Sequence, residues 1–255
     1  MTRIITIISG KGGVGKTTLV ANLGALLASM GKDIIIFDTN LTTPNLGLHL
    51  GIPLFPITLH DVLKGNANIK DAVYWHESGL KIVPAGLSLK DLRGVDVREL
   101  PNALLDLLGS TEIILLDASA GLGRETLAAM ESSDEIIIVT NPDLPSVTDA
   151  LKAAKLAEQI GIKVSGVVIN RRTGKDHEMK TQEIASMLDG LEILAEIPED
   201  IAVQRAISKR IPVVHYAPKS PASKEIKKLA ARLIGQEYKT KDSWYRKLFG
   251  FILRR

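Results

Sequence analysis

The chain has 255 residues, of which 45% are hydrophobic and 24% charged, and its formal net charge is +3. This composition is that of an ordinary globular protein, and the length is sufficient for one large α/β core. The absence of cysteine excludes disulfides, thiolate metal sites and a cysteine nucleophile.

The positive charge is concentrated towards the C-terminal end of the sequence. Residues 219–255 contain 11 Lys and Arg against 3 Asp and Glu, a net charge of +8, so residues 1–218 carry a net charge of −5. No run of 18 apolar residues occurs and the first residues do not resemble a signal peptide. We therefore expect a cytoplasmic protein without a transmembrane helix.

In chain order, short apolar runs rich in β-branched residues alternate with longer stretches of helical periodicity. The runs predict strands at 4–8, 34–37, 113–116, 136–139, 164–169 and 193–197. The periodic stretches predict helices at 17–30, 101–108, 124–132, 145–160, 178–188, 201–208 and 221–234. Because these strands are almost continuously apolar, we expect an α/β fold with a doubly wound, mostly parallel sheet and helices on both faces.

Two segments depart from this alternation. Residues 41–100 carry several prolines and glycines, and they predict a long insertion after the second strand, with a short helix at 59–63 and a minor strand at 80–83. Near the C-terminus, the stretch QEYKTKDS is polar and resembles a linker. The predicted organisation is a globular domain at 1–235, a linker at 236–243 and an amphipathic helix at 244–255.

A glycine-rich loop with the sequence GKGGVGKT, residues 10–17, lies between the first predicted strand and the first predicted helix. It matches the P-loop pattern G-x-x-x-x-G-K-[ST] at every position. Its backbone N–H groups and the helix N-terminus should surround phosphate oxygens, with Lys16 on the β- and γ-phosphates and Thr17 on Mg²⁺. The predicted ATP-binding residues of this segment are Gly10, Lys11, Gly12, Gly13, Val14, Gly15, Lys16, Thr17 and Thr18.

Two carboxylates follow predicted strands at the point where each strand ends. Asp117 follows the apolar run 113–116, and Asp38 follows the run 34–37. A lone Asp in such a place is often only a helix cap, but an acidic residue at a strand end near a P-loop holds Mg²⁺ through water. We therefore predict Mg²⁺ with ATP, held by Thr17 directly and by Asp38 and Asp117 through water.

Together these motifs resemble those of the MinD/ParA group of P-loop ATPases. The loop KGGVGKTT, with a lysine ahead of the usual one, is similar to the deviant Walker A motif of this group. Further similar segments are FDTNLTTPNLGLHLG after strand two, LLDASAGLG at the switch, VVINR at the base-contacting strand end, and IPEDIAVQRA at the proline-containing loop. The similarity runs in order from residue 3 to about residue 234 and is greatest to the MinD branch.

The resemblance implies specific roles for several residues. Lys11 would reach across a dimer interface to the phosphates held by a second copy of the chain, so that ATP joins the two copies; the alternative is a solvated loop lysine. Asn170 would hydrogen-bond adenine, with the segment from Pro198 to Asp200 closing over it. The helix at 145–160 would face an activating protein partner.

One position departs from the pattern of the group. Its members usually carry D-x-D after strand two, and the second acid polarises the attacking water, whereas this chain has Asp38-Thr39-Asn40. An amide can orient a water but cannot accept its proton. We therefore expect slow hydrolysis that relies on Asp38 or on the substrate itself. The expected catalytic residues are Lys11, Lys16, Asp38 and Asn40.

The last twelve residues, WYRKLFGFILRR, separate into two arcs when placed on a helix. One arc is cationic, and the other is apolar and aromatic, which is typical of a helix lying in a membrane interface and resembles the membrane-targeting helix of MinD. The alternative is an amphipathic helix packed on the core. The predicted contacts with an anionic membrane are Trp244, Tyr245, Leu248, Phe249, Phe251 and Ile252.

The sequence thus favours a MinD-like ATPase that dimerises around ATP, binds the inner face of the cell membrane reversibly and positions cell division or another polar structure. Two alternatives remain open: a ParA-like DNA segregation ATPase, and an ATP-dependent scaffold with little hydrolysis. Phosphate contact requires charge but not an apolar arc, so DNA is not an expected partner.

Overall fold

The computed structural model describes residues 2–52 and 54–236. Its strands are β1 (Arg3–Ser9), β2 (Ile34–Asp38), β3 (Tyr74–Trp75), β4 (Lys81–Val83), β5 (Ile113–Ala120), β6 (Glu135–Thr140), β7 (Lys163–Arg172) and β8 (Ile193–Pro198). They form an eight-stranded sheet in the order β3-β4-β2-β5-β1-β6-β7-β8. In this sheet β3 pairs with β4 in antiparallel orientation, and the other neighbouring pairs are parallel.

Helices cover both faces of this sheet. They are α1 (Lys16–Ser29), α2 (Leu46–His49), α3 (Leu59–Leu63), α4 (Leu100–Leu105), α5 (Arg124–Glu131), α6 (Leu144–Gln159), α7 (Thr181–Met187), α8 (Ile201–Lys209), α9 (Val213–Tyr216) and α10 (Pro221–Leu233). Apolar residues of α1, α8 and α10 pack in one core layer, and those of α4, α5, α6 and α7 pack in the other. The predicted doubly wound fold is confirmed.

The central strand β1 shows why its apolar run is continuous. Ile5 and Ile7 pack into the layer formed with α1 and α10, whereas Ile4 and Ile8 pack into the opposite layer. All four side chains are buried. Because successive side chains of a strand point to opposite faces, a strand covered by helices on both sides requires apolar residues at every position.

The structure corrects several predicted boundaries. The third predicted strand continues past residue 116 as β5, so the small residues that follow Asp117 are extended rather than a loop. The helix predicted at 101–108 is α4, which ends at Leu105, and the one predicted at 178–188 is α7, which begins at Thr181. The sequence predicted β4 but not its antiparallel neighbour β3, which has only two residues.

The predicted linker and amphipathic helix at the C-terminal end cannot be compared with the structure. Helix α10 ends at Leu233, and the predicted helix at 244–255 lies outside the described residues, as does the predicted linker beyond Gln236. They stay predictions. In the part of the chain that the structure describes, none of the helices combines the length and the hydrophobicity needed to span a bilayer.

Candidate functional site

The phosphate loop connects β1 to α1 at the carboxyl edge of the sheet. Gly13 and Gly15 have φ angles of 80° and 99°, a left-handed conformation that glycine adopts at little cost. A Cβ at Gly15 would also lie 2.3 Å from the side-chain nitrogen of Asn170. Among the described residues no side chain caps α1, so the backbone N–H groups of its first turn are available to an anion.

Lys16 and Asp117 form the buried centre of the site. Lys16 is only 7% exposed, and burial lowers the pKa of its ammonium group, while the charge of Asp117 acts to raise it. Asp117 is buried as well, and burial raises its pKa to about 6, against the opposing effects of the Thr17 hydroxyl and of Lys16. The predicted cation and the predicted acid are therefore brought together.

The same carboxylate fits a magnesium ion. Both oxygens of Asp117 are buried, and neither accepts a hydrogen bond of normal length and angle in the described part of the chain, although the Thr17 hydroxyl lies close enough to lower the pKa of the carboxyl group. A buried carboxylate that lacks hydrogen-bond donors is costly unless a cation or water satisfies it. Oxygen ligands of this kind are the ones that Mg²⁺ prefers, so Thr17 and Asp117 would hold it and place its charge next to the phosphates.

Asp38 lies beside Asp117, since the two residues are in register on the neighbouring strands β2 and β5. Its Oδ2 accepts hydrogen bonds from the backbone N–H groups of Asn45 (3.0 Å) and Leu46 (2.9 Å), and its Oδ1 accepts one from Asn40 (3.2 Å). Burial, together with the charge of Asp117, raises the pKa of Asp38 to about 8. Asp38 therefore also anchors the loop between β2 and α2, a role that the sequence did not predict.

Asn40 lies in that loop with its side chain fixed. Its Oδ1 accepts hydrogen bonds from the backbone N–H (3.2 Å) and the hydroxyl (3.1 Å) of Thr43, and its Nδ2 donates to the Thr43 carbonyl (2.7 Å). The Ser119 hydroxyl is 3.1 Å from the same Oδ1. Asn40 thus reaches the end of β5, next to the two acidic residues; its expected catalytic role stays a prediction.

Lys11 differs from Lys16 in its surroundings. It is exposed, and among the described ion pairs none includes it. Its backbone is nevertheless fixed, because its carbonyl accepts a hydrogen bond from the Ser9 hydroxyl at 2.7 Å. The loop therefore presents one buried and one solvent-facing cation.

A cavity of about 240 Å³ adjoins the phosphate loop and is bounded by β7, β8, α8 and α10. Asn170 and Pro198, the residues expected to contact adenine, line it, and Asn170 donates a hydrogen bond from Nδ2 to the carbonyl of Val14 at 2.7 Å. The cavity also has apolar walls, which suit a flat aromatic base. These walls, which the sequence did not predict, include Leu19, Ile197, Val203, Ile207 and Ile226.

Asp200 borders this cavity, but its carboxylate has structural partners. It accepts hydrogen bonds from the backbone N–H groups of Ala202 (2.9 Å) and Ala222 (3.1 Å), which joins the start of α8 to the start of α10.

An ion pair near Asp200 was not predicted from the sequence. Arg171, at φ 59°, donates from Nε to Glu199 at 2.8 Å, and both residues line the cavity.

Comparison with known proteins identifies the family. Residues 5–213 match the family model of the CobQ/CobB/MinD/ParA nucleotide binding domain. The chain belongs to this family. It is a MinD/ParA-family ATPase, as its motifs indicated.

Individual relatives agree with this assignment. An uncharacterised ATP-binding protein of Methanocaldococcus jannaschii is 38% identical over 255 residues, which cover 96% of either chain. The Pyrococcus horikoshii septum site-determining protein MinD, solved in complex with Mg-ADP, is 37% identical with a TM-score of 0.87, over 91% of this chain and 96% of that one. A MinC:MinD complex of Aquifex aeolicus matches with a TM-score of 0.84 and 30% identity, over 94% and 99% of the two chains.

Helix α6 packs directly on the phosphate loop at Gly10, which gives a testable consequence. A Cβ at this position would lie 2.3 Å from the backbone oxygen of Asp149. We expect Gly10→Ala to lower the free energy of unfolding by about 1–3 kcal/mol and to weaken Mg-ATP binding, because loop or helix must move. Urea unfolding and nucleotide titration measure the two effects.

Gly12→Ala is the matched control for stability. Its Cβ would meet only the Cβ of Ala120 at 3.6 Å, an ordinary contact, so the free energy of unfolding should stay within about 0.5 kcal/mol of the unaltered value. Equal stability of the two variants would contradict the tight packing of Gly10 against α6.

Proposed function

We propose that this chain is a MinD-like ATPase that binds Mg-ATP, dimerises around it and associates reversibly with an anionic membrane surface. The observation that carries the proposal is the juxtaposition of a buried lysine, an unpartnered buried carboxylate and an adjoining apolar cavity. Lys16 and the first turn of α1 bind the phosphates, Thr17 and Asp117 hold Mg²⁺, and the cavity accepts the base. Magnesium stabilises the negative charge that develops during phosphoryl transfer.

Dimerisation follows from the second lysine. A triphosphate carries more negative charge than Lys16 alone can offset, and the exposure of Lys11 supports the proposal that it serves a nucleotide bound by a second copy. A cation supplied in this way responds to the γ-phosphate, which distinguishes ATP from ADP. The nucleotide thereby controls the association of two chains.

Membrane binding rests on the predicted helix at 244–255. One such helix binds weakly, because each basic residue near an anionic leaflet contributes about 1 kcal/mol. Two helices on one dimer raise the avidity about 10²- to 10⁴-fold. ATP binding then acts as a membrane switch, by which the protein positions cell division or another polar structure from the cytoplasmic side.

Helix α6 is the surface proposed for an activating protein partner. Its outer side exposes Leu144 and Lys152, among others, and its inner side packs against Gly10 of the phosphate loop. A MinD of Aquifex aeolicus was solved in complex with MinC. A partner on α6 would therefore contact an element that packs directly on the phosphate loop. Hydrolysis without it is proposed to be slow, because the Asn40 amide cannot accept the proton of the attacking water.

Cosedimentation with anionic liposomes tests the membrane switch. We expect the full chain to pellet with Mg-ATP and to stay in solution with Mg-ADP, and Leu248→Glu to abolish pelleting by placing a charge on the apolar arc. Leu89→Glu is the control, since Leu89 is 81% exposed in the described domain and should not affect binding. Pelleting that is equal with both nucleotides would contradict the switch.

A parallel measurement separates the DNA-binding alternative. The basic tail could also contact phosphates, which would give salt-dependent binding to plain duplex DNA. We expect no such binding at physiological salt. Tight DNA binding that Leu248→Glu leaves intact would favour the ParA-like alternative.

A further inference from the structure

Two rows of polar side chains lie at the ends of β2 and β5. The first row consists of Asp38 and Asp117, which are in register. Two residues further along each chain, Asn40 and Ser119 form the second row, with the Ser119 hydroxyl 3.1 Å from Asn40 Oδ1. Since residues two apart in a strand share a face, Ser119 lies on the same side of β5 as Asp117.

A carboxylate stands directly behind the second row. Glu125, in the first turn of α5, accepts hydrogen bonds from the Ser119 hydroxyl and from the Thr42 hydroxyl, the latter at 2.6 Å. It is half-buried, and the ion pairs among the described residues do not include it. Glu125 thus joins the loop after β2 to the end of β5. Among the described residues, no side-chain cation pairs with its carboxylate.

This network lies against the phosphate loop. The Cβ of Ala120 is 3.6 Å from the position that a Cβ at Gly12 would occupy, and the backbone N–H of Gly121 donates to the carbonyl of Ser9 at 3.1 Å. Ser119 lies one residue before Ala120 and two before Gly121, and it shares its side of β5 with Asp117, whose charge acts on Lys16 of the loop. The hydroxyl that Glu125 binds is therefore at the edge of the site where the loop holds phosphate.

The hydrogen bonds leave Ser119 able to accept a proton. A hydroxyl has a single hydrogen, and Ser119 donates it to Glu125. Asn40 Oδ1 does not need that hydrogen, because it accepts from the N–H and the hydroxyl of Thr43. The lone pairs of Ser119 Oγ are then free to accept a hydrogen bond from water.

We infer that Glu125, acting through Ser119, is a positioning residue and the final proton acceptor for the water that attacks ATP. The inference rests on the proposed ATPase function. The water oxygen forms a bond to the γ-phosphorus, and the bond from that phosphorus to the bridging oxygen breaks, so that ADP leaves with the electron pair. The water proton passes to Ser119 Oγ as Ser119 passes its own to Glu125, which later releases it to solvent.

This arrangement compensates for Asn40. The amide at position 40 can orient a water but cannot take its proton. The carboxylate of Glu125 can take it, because the Ser119 hydroxyl beside Asn40 connects the two side chains. Slow hydrolysis is the expected result, because a proton relayed through serine crosses two hydrogen bonds instead of one.

Steady-state hydrolysis of Mg-ATP by the full chain tests the role of Glu125. We expect Glu125→Gln to lower kcat about 10²-fold, the usual contribution of a general base, and to leave KM within about twofold, since binding does not use the carboxylate. Glu131→Gln is the matched control: Glu131 is an exposed acid at the other end of α5, and kcat should not change.

Two further variants separate a proton relay from a structural role. Ser119→Ala should lower kcat to a similar extent, and the double variant with Glu125→Gln should lose no more than either single one, because the two residues act as a unit. Asn40→Asp should raise kcat in the unaltered chain and restore most of the rate to Glu125→Gln, since it supplies a carboxylate to the second row. A stabilising contact would not be restored in this way.

The outcomes distinguish this inference from the function on which it rests. If the unaltered chain hydrolyses ATP and Glu125→Gln keeps its kcat within about threefold, only the role of Glu125 is overturned. Rate losses of Ser119→Ala and Glu125→Gln that multiply in the double variant also overturn the relay. If the unaltered chain shows no hydrolysis of ATP, the proposed ATPase activity itself is overturned.

Discussion

The nucleotide-free protein is expected to lose stability as the pH rises from about 4 to about 8. Its two adjacent acids are buried, and burial raises the pKa of Asp38 to about 8 and that of Asp117 to about 6, compared with about 3.9 in an unfolded chain. In this interval the folded state therefore binds more protons than the unfolded state. Stability falls with pH under that condition.

The sign and the size of this effect are both testable. The stabilising contribution is complete below pH 4 and is lost as the pH passes the folded pKa values of the two acids. Because one pKa unit corresponds to about 1.4 kcal/mol, Asp38 should reduce the free energy of unfolding by about 2–4 kcal/mol between pH 5 and pH 8. Urea unfolding at a series of pH values measures the slope.

Asp38→Asn should remove most of this slope, because the amide does not titrate. Asp176→Asn is the control, since the Asp176 side chain is fully exposed and should leave the slope as it is. Saturating Mg-ADP should also flatten the slope in the unaltered protein, because a cation beside Asp117 favours the charged form of both acids. Identical slopes for Asp38→Asn and the control would contradict the buried acid pair.

The carboxyl edge of the sheet was largely predictable from the sequence. Parallel strands end at one edge, so the loop after β1 and the acids at the ends of β2 and β5 had to meet there. The P-loop pattern identified Lys16 and Thr17 as phosphate and magnesium ligands. The position of Asp117 at the end of an apolar run identified it as the acidic residue of the same site. The structure places all of these residues together, with Asp38 and Asp117 directly in register.

The remaining parts of the site depend on contacts that periodicity does not encode. Val203 in α8 and Ile226 in α10 line the cavity, but helical patterns indicate only that such side chains pack somewhere. Asp38 accepts hydrogen bonds from the backbone of Asn45 and Leu46 because the loop between β2 and α2 turns back towards it, and periodicity does not predict the course of a loop. In the sequence, Glu125 looks like any other acidic residue in the first turn of a helix. Only its hydrogen bond with Ser119, which the sequence does not show, distinguishes it.

The two lysines of the phosphate loop should give opposite results when each is replaced by alanine. Lys16 is buried beside Asp117, whereas Lys11 is exposed. We expect Lys16→Ala to weaken the binding of both Mg-ADP and Mg-ATP at least 10²-fold, since the loss of a charged hydrogen bond costs about 3 kcal/mol. Calorimetric titration of each nucleotide measures the change.

Lys11→Ala should bind Mg-ADP with unaltered affinity and yet fail to dimerise with Mg-ATP. In the proposed dimer Lys11 serves the nucleotide of the partner copy, so a monomer would not need it. Sedimentation velocity with each nucleotide measures the dimer, and Lys90→Ala, at an exposed lysine of the insertion, is the control. Normal dimerisation of Lys11→Ala would show that Lys11 is a solvated loop residue. An equal loss of Mg-ADP affinity in Lys11→Ala and Lys16→Ala would instead show that both lysines serve one nucleotide within a single chain, and the partner's contribution would then be overturned.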